Sequence, residues 1–170
     1  MWESQAKYCP MCGAELARRA FEGIERPACT GCNFILYANP ASASCAVVVV
    51  QREVCLIKRG IEPYRGHWTL PAGYQEYYET PAEAAAREAK EECGLEVDVI
   101  RLLDVLYTTD DVRKRANLNV YLCRPIGGTL AAGDDAESAA FFPIDALPES
   151  IGFENNRKIL AALRAELPNK

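Results

Sequence analysis

Residues 80–94, TPAEAAAREAKEECG, constrain the chain more than any other stretch, because both ends and one face of a helix are specified there. Thr80 with Glu83 three residues on is a capping box, and Pro81 stands at the first helical position with its φ already set. Gly94 sits where a helix exits through the left-handed region. The spacing predicts a helix over 81–93. At 100° per residue Ala82, Ala85, Ala86, Ala89 and Cys93 share a narrow face of small side chains that lets the backbone lie close on a sheet. Glu88, Glu91 and Glu92 gather on one flank, and Glu83, Arg87 and Lys90 on the other. Glu88 and Glu92 are like charges at i,i+4, which costs about 0.2–0.5 kcal/mol. A charged surface helix and a metal site both stay open on these local grounds. A divalent cation would reverse the penalty, because Mg²⁺ takes carboxylate oxygens together with substrate phosphates. Arg87 can reach Glu83 or Glu91 and steady the cluster.

The second constraint is at the N-terminal end. Cys9 and Cys12 form one Cys-x-x-Cys pair and Cys29 and Cys32 another, with residues 13–28 between them. This spacing suits two knuckles around one tetrahedral Zn²⁺ in a ribbon module; redox cysteines and disulfides are the competing readings. Four thiolate ligands leave no open coordination position, so a structural ion is expected rather than zinc chemistry. A nucleic-acid-binding ribbon would need a basic surface, whereas residues 1–38 balance Lys7, Arg18, Arg19 and Arg26 against Glu3, Glu15, Glu22 and Glu25. Of the 8 cysteines, the other four, Cys45, Cys55, Cys93 and Cys123, stand singly in apolar surroundings as small core residues. No secretion signal is visible, so a reducing, cytoplasmic setting is expected.

The remaining pattern is that of an α/β domain. At 170 residues the chain suits a domain with a small appendage, and the connector ANPAS at 38–42 divides it into 1–38 and 41–170. Strands are predicted at 44–51, 54–59, 67–70, 97–107, 119–124 and 139–144, with turns at Pro71-Ala72-Gly73 and Gly127-Gly128. A second helix is expected over 153–167, with Leu160, Leu163 and Leu167 on one face. A net charge of -5 argues against nucleic acid as a partner, and the apolar run 46–50 is too short for a membrane span. A polyanionic substrate would need a bridging cation.

Gly73, Glu79 and the run Arg87-Glu88-Ala89-x-Glu91-Glu92-x-Gly94-Leu95 fit G-x5-E-x7-R-E-U-x-E-E-x-G-U, where U is a bulky aliphatic, at every fixed position. Only Ala89 is small for its U site. The chain therefore resembles the Nudix hydrolases, and the resemblance implies an α/β/α sandwich with a mixed sheet. It also implies that Glu88, Glu91 and Glu92 bind Mg²⁺ or Mn²⁺ and that Glu88 serves as base toward the attacking water. By the same resemblance Arg87 orients the carboxylates, Glu79 supports them, and the Gly73 carbonyl ligates metal. Members of that family often use one more acid from outside the motif, with Asp134, Asp135 and Glu137 as candidates here and a solvated turn residue as the competing reading for each.

A cysteine ribbon in front of such a domain occurs in NADH pyrophosphatases, but the Ser-Gln-Pro-Trp-Pro-Phe-Pro run that marks them is absent. The segments YANPASAS, LIKRGIEPYRGHWTLPAGYQE and LPESIGF look more like the ribbon-bearing enzymes that cleave FAD and ADP-ribose. Tyr78 stands where those relatives usually have glycine. In that reading Arg59 contacts the diphosphate or is solvated, and Tyr107 and Phe153 stack on the base or belong to the core. Trp68 is expected as packing beneath the motif and His67 as structural or solvated. The substrate is then a small nucleotide and the enzyme a homodimer. The contrasting possibility is a regulator that senses a nucleotide and uses the ribbon to bind DNA or a partner.

Overall fold

The structure, a computed structural model, describes residues 5–110, 114–133 and 135–167. The chain divides into two compact units, one holding the residues up to Pro40 with Lys114 and Arg115, the other holding the remainder. In the first, β1 (Leu16–Phe21) and β2 (Ile24–Cys29) pair antiparallel from Leu16–Cys29 to Phe21–Ile24. Glu22 and Gly23 between them have φ of 50° and 80°, the two left-handed residues that a tight hairpin turn needs.

The second unit is organised by β3 (Ala41–Val50). Its apolar run is buried on both faces, as expected of a central strand covered on each side. It pairs parallel with β8 (Ala116–Gly128), which in turn pairs antiparallel with β7 (Leu95–Thr108). A tight turn at Gln51-Arg52 returns the chain as β4 (Glu53–Arg59), which pairs with β3 only at Val49–Val54 and Val50–Glu53 before diverging. Farther along that same edge β4 pairs with β5 (Trp68–Thr69), and along its opposite edge it carries β9 (Ala136–Pro143).

That divergence explains one departure from expectation. Pro71-Ala72-Gly73 was expected as a turn, but β6 (Ala72–Tyr74) is a strand that fills the edge of β3 left open at Ala43–Cys45. Gly127-Gly128 likewise continues β8, pairing with Glu96 and Leu95, instead of forming a turn. Both errors have one cause: a strand's partner lies far away in sequence.

The two helices cover opposite faces. α1 (Pro81–Cys93) starts with the Thr80–Glu83 capping box and ends at Gly94 with φ 72°, as its sequence specifies. Its Ala85, Ala89 and Cys93 pack with Ala46, Val48, Cys55, Ile57 and Cys123. α2 (Glu154–Glu166) places Ile159, Leu160 and Leu163 in the other layer with Cys45, Val47, Val54 and Leu56, and Leu167 packs against that layer. Odd residues of β3 thus face α2 and even ones α1, the period-2 signature of a sandwich. Trp68, expected as packing beneath the motif, packs in the α2 layer, edge-on to Phe142 at 4.7 Å. The four lone cysteines are all buried. No helix among the described residues is long and apolar enough to cross a membrane.

Candidate active site

The α1 face differs from a simple alanine stripe. Glu88 and Glu92 are themselves buried, at 8% and 6% exposure, while Ala82 and Ala86 are only half-buried. The helix therefore turns two carboxylates toward the sheet, where β6 and the left-open edge of β3 make room for them. Gly73 supplies that room most directly. A Cβ on it would lie 2.1 Å from Glu88 Oε1 and 2.3 Å from its carboxyl carbon, so the carboxylate occupies the volume a side chain would fill. Ser44 pairs with Gly73 in register, and its buried Oγ has no hydrogen-bond partner among the described residues.

Arg87 collects the other acids. Its Nη1 donates to Glu88 Oε1 at 2.6 Å and to Glu91 Oε2 at 2.7 Å. Its Nη2 donates to Glu79 Oε1 at 2.7 Å and to the Tyr74 carbonyl at 3.0 Å, and Nε donates to Glu79 Oε2 at 3.1 Å. Glu79 also accepts the Glu76 N–H at 2.8 Å. One guanidinium thus engages three carboxylates and the loop before the helix, the forked geometry for which arginine is suited. Glu83 is not among its partners. That side chain closes the capping box on Thr80, whose N–H reaches Glu83 Oε2 at 2.7 Å.

The electrostatics separate the acids. The hydrogen bonds that Glu79 accepts from Arg87 hold its carboxyl below the ordinary carboxylate range, and the same bonds foremost keep Arg87 charged. Burial raises Glu88 against the pull of Arg87. Burial pushes Glu92 up to about 8, with Glu88 and Asp135 adding to it and the Ala72 amide and Arg59 opposing. The Ala72 N–H reaches Glu92 Oε2 at 2.9 Å. A buried carboxylate with so little positive charge near it is destabilised when ionised, and a divalent cation is the group that would offset this. The donor set fits Mg²⁺ or Mn²⁺: hard carboxylate oxygens from Glu88, Glu91 and Glu92 beside the half-buried Gly73 and the Ser44 hydroxyl.

The other expected residues fall into two groups. Arg59 and Phe153 come together: the guanidinium lies 5.3 Å from the ring centroid, its Nε donates to the Pro63 carbonyl at 2.8 Å, and its charge bears on Glu92. Tyr107 is half-exposed on β7 and tied to α2, its carbonyl accepting from Asn155 Nδ2 at 3.3 Å. Of the outer acids, Asp134 lies outside the described residues. Asp135 accepts the Gly60 N–H on its carbonyl at 2.7 Å and its charge reaches Glu92, whereas Glu137 faces Lys58 and Arg65 at 3.9 and 3.5 Å. Tyr64 was not anticipated. Its ring lies 4.6 Å from that of Phe153, and no periodicity or motif in the sequence marks it.

In the first unit the Sγ atoms of Cys9, Cys12, Cys29 and Cys32 all lie within 4.8 Å of one another. Cys9–Cys32 is 3.7 Å and Cys12–Cys29 3.4 Å. A tetrahedron with Zn–S of about 2.3 Å has S···S edges of about 3.8 Å, so this cluster could hold zinc with little movement. Backbone N–H groups of Met11, Gly31 and Cys32 donate to Cys9 or Cys29 sulfur, the pattern of two knuckles. Against the cost of burial, the Gly31 amide and the neighbouring thiols bring Cys29 down to about 6.

With this geometry in hand, the relatives can be placed. The family model of the NUDIX domain matches residues 39–163. The chain belongs to the Nudix family. The ADP-ribose pyrophosphatase of Methanocaldococcus jannaschii is 39% identical over 130 residues, covering 76% of each chain. The 8-oxo-dGDP phosphatase of Mus musculus is 40% identical over 103 residues, 58% of this chain and 30% of that one. A Nudix hydrolase structure from Nitrosomonas europaea superposes with a TM-score of 0.83 at 28% identity, covering 95% of this chain and 94% of the other. The chain is accordingly a Nudix pyrophosphohydrolase, of a family that uses Mg²⁺ or Mn²⁺.

Proposed function

We propose that this enzyme hydrolyses the diphosphate of a nucleoside diphosphate linked to another group, ADP-ribose or FAD, and releases AMP. The observation that carries this reading is the single guanidinium of Arg87 gathering Glu79, Glu88 and Glu91 beside the buried Glu92. Similarity to an ADP-ribose pyrophosphatase over three-quarters of each chain supports the substrate class.

Glu88, Glu91, Glu92 and the Gly73 carbonyl would hold Mg²⁺ or Mn²⁺. Bound there, the cation supplies charge neutralisation on the phosphate oxygens and a more acidic water. Glu88 accepts the proton of the attacking water, its raised basicity matching that task. Arg87 fixes Glu88 and Glu91, and Glu79 fixes Arg87 in turn. Arg59, whose charge bears on Glu92, is the candidate contact to the diphosphate, and Phe153 and Tyr107 are the candidate contacts to the base. Asp135 is the outer acid favoured by its influence on Glu92. Residues 1–38 form a zinc ribbon whose four cysteines saturate one structural ion, and residues 41–170 form the hydrolase domain. Incubation with Mg²⁺ and a panel of ADP-ribose, FAD, NADH and nucleoside triphosphates, with products resolved by chromatography, tests the reading. AMP with ribose 5-phosphate or FMN is expected; absence of turnover on every diphosphate-linked compound would reject it.

A further inference from the structure

Two bulky residues that touch each other both have left-handed backbone: Tyr64 at φ 66° and Phe153 at φ 54°. Side-chain-bearing residues rarely adopt this region, so the surroundings must impose it. A short ladder does so. Trp68 donates to Ser150 at 2.8 Å and Gly152 to Trp68 at 2.9 Å, while His67 donates to the Tyr64 carbonyl at 3.0 Å. Gly152 makes the approach possible: a Cβ there would lie 3.0 Å from Thr69 Cγ2, 3.1 Å from Tyr64 Cβ and 3.3 Å from His67 Cβ. The result is a pair of rings 4.6 Å apart and tilted by 56°, with both residues partly exposed. Arg59 lies over the Phe153 ring; Gly60, next to it, donates to the Asp135 carbonyl at 2.7 Å, and Gly133, two residues before Asp135, donates to the Glu92 carbonyl at 3.1 Å, so the pair is linked through Arg59 to the segment bound to the carboxylate helix. Ordinary core packing would require neither the strained backbone nor the exposure.

We propose that Tyr64, held against Phe153 by this ladder, is a specificity residue whose ring forms part of the wall on which the planar base of the nucleotide stacks. The proposal rests on the reading of the site as a hydrolase of nucleoside diphosphate derivatives. Its test is calorimetric binding of AMP and of ribose 5-phosphate to the full chain in Mg²⁺. Loss of the ring in Tyr64→Leu is expected to weaken AMP by about five- to a hundredfold and to leave ribose 5-phosphate unchanged. The aromatic variants Tyr64→Phe and Tyr64→Trp restore AMP binding. Tyr64→Gly, which relieves the backbone strain, keeps or raises the melting temperature yet weakens AMP as leucine does, separating stacking from folding. Equal AMP affinity in Tyr64→Leu and the parent, equal loss of both ligands, or no AMP binding by the parent would overturn the wall. Tyr64-dependent AMP binding without turnover of any diphosphate compound would break the hydrolase reading and leave the wall standing.

Discussion

The two clusters of potential metal ligands solve opposite problems. The four thiols are supplied in pairs by two knuckles, receive backbone N–H donors, and match a closed tetrahedron. The carboxylates come from one helix and the loop before it, and two of them are buried, Glu88 against Arg87 and Glu92 against the Ala72 amide and the charge of Arg59. Within the thiol cluster Cys29 is brought down to about 6 while Cys32, against the Phe34 amide, is pushed up to about 12 by Cys29 and burial; in the carboxylate cluster Glu92 is pushed up to about 8. A site satisfied by its own backbone is built for stability. One that leaves ionised oxygens under-compensated stores affinity for a cation and the substrate it brings.

The strongest way to break this contrast is to neutralise the proposed base. Glu88→Gln is expected to lower kcat by about 10²–10⁴ with little change in the melting curve, because a buried carboxylate is removed without loss of volume. Activity near that of the parent enzyme would remove Glu88 from the chemistry. Gly73→Ala asks whether position alone matters: the new Cβ would displace the Glu88 carboxylate, and a shift of about 1 Å is worth about 10² in rate. An unchanged rate constant would show that Glu88 has freedom it does not need. Arg87→Lys keeps the charge and loses the fork, for an expected loss of about 10–100-fold in metal affinity or activity. Titrating Mn²⁺ by electron paramagnetic resonance distinguishes the two.

A pH series sharpens the same comparison. Between the ordinary glutamate value of 4.5 and about 8, folded Glu92 holds a proton that the unfolded chain has released. The cation-free protein therefore loses stability as pH rises through that interval, at up to about 1.4 kcal/mol per pH unit. Glu88 is raised in the same direction and adds to the effect. Glu79 has the opposite sign, its contribution being present above 4.5 and lost as pH falls through its lower folded value. Thermal melts in chelator should thus fall from pH 5 to pH 8, and Glu92→Gln should flatten the slope; a parental slope in that variant would contradict it. The smallest expected effect on catalysis is in the other cluster. Cys29→Ser should abolish zinc retention, measured by atomic absorption, while hydrolysis keeps its order of magnitude in Mg²⁺. Loss of turnover on zinc removal would show that the thiol site is more than structural.

How much was legible in sequence follows the range of the interactions. The ends of α1 were fixed to the residue because the capping box and the Gly94 exit act within one turn. The thiols could be assembled because each pair is local and only one hairpin, β1 to β2, must bring them together. The carboxylates were grouped by their spacing and given a role only by the Nudix resemblance, and their burial was not legible: a helical wheel put Glu88 and Glu92 on a flank, whereas packing against β6 turned them inward. Arg87 was expected to reach Glu83 or Glu91, and its bonds to Glu79 and Tyr74 appear only once the loop folds back over the helix.

By itself, then, the sequence determined the capped helix, the grouping of the carboxylates and of the thiols, and a strand within 44–51, since each depends on neighbours within a turn, a hairpin or one strand. Only the tertiary structure decided that β6 fills the edge of β3, that Gly73 lies under Glu88, and that Tyr64 meets Phe153. Those contacts join segments distant along the chain. Their energetics come from burial and from the pairing of distant backbone groups, which no local pattern encodes.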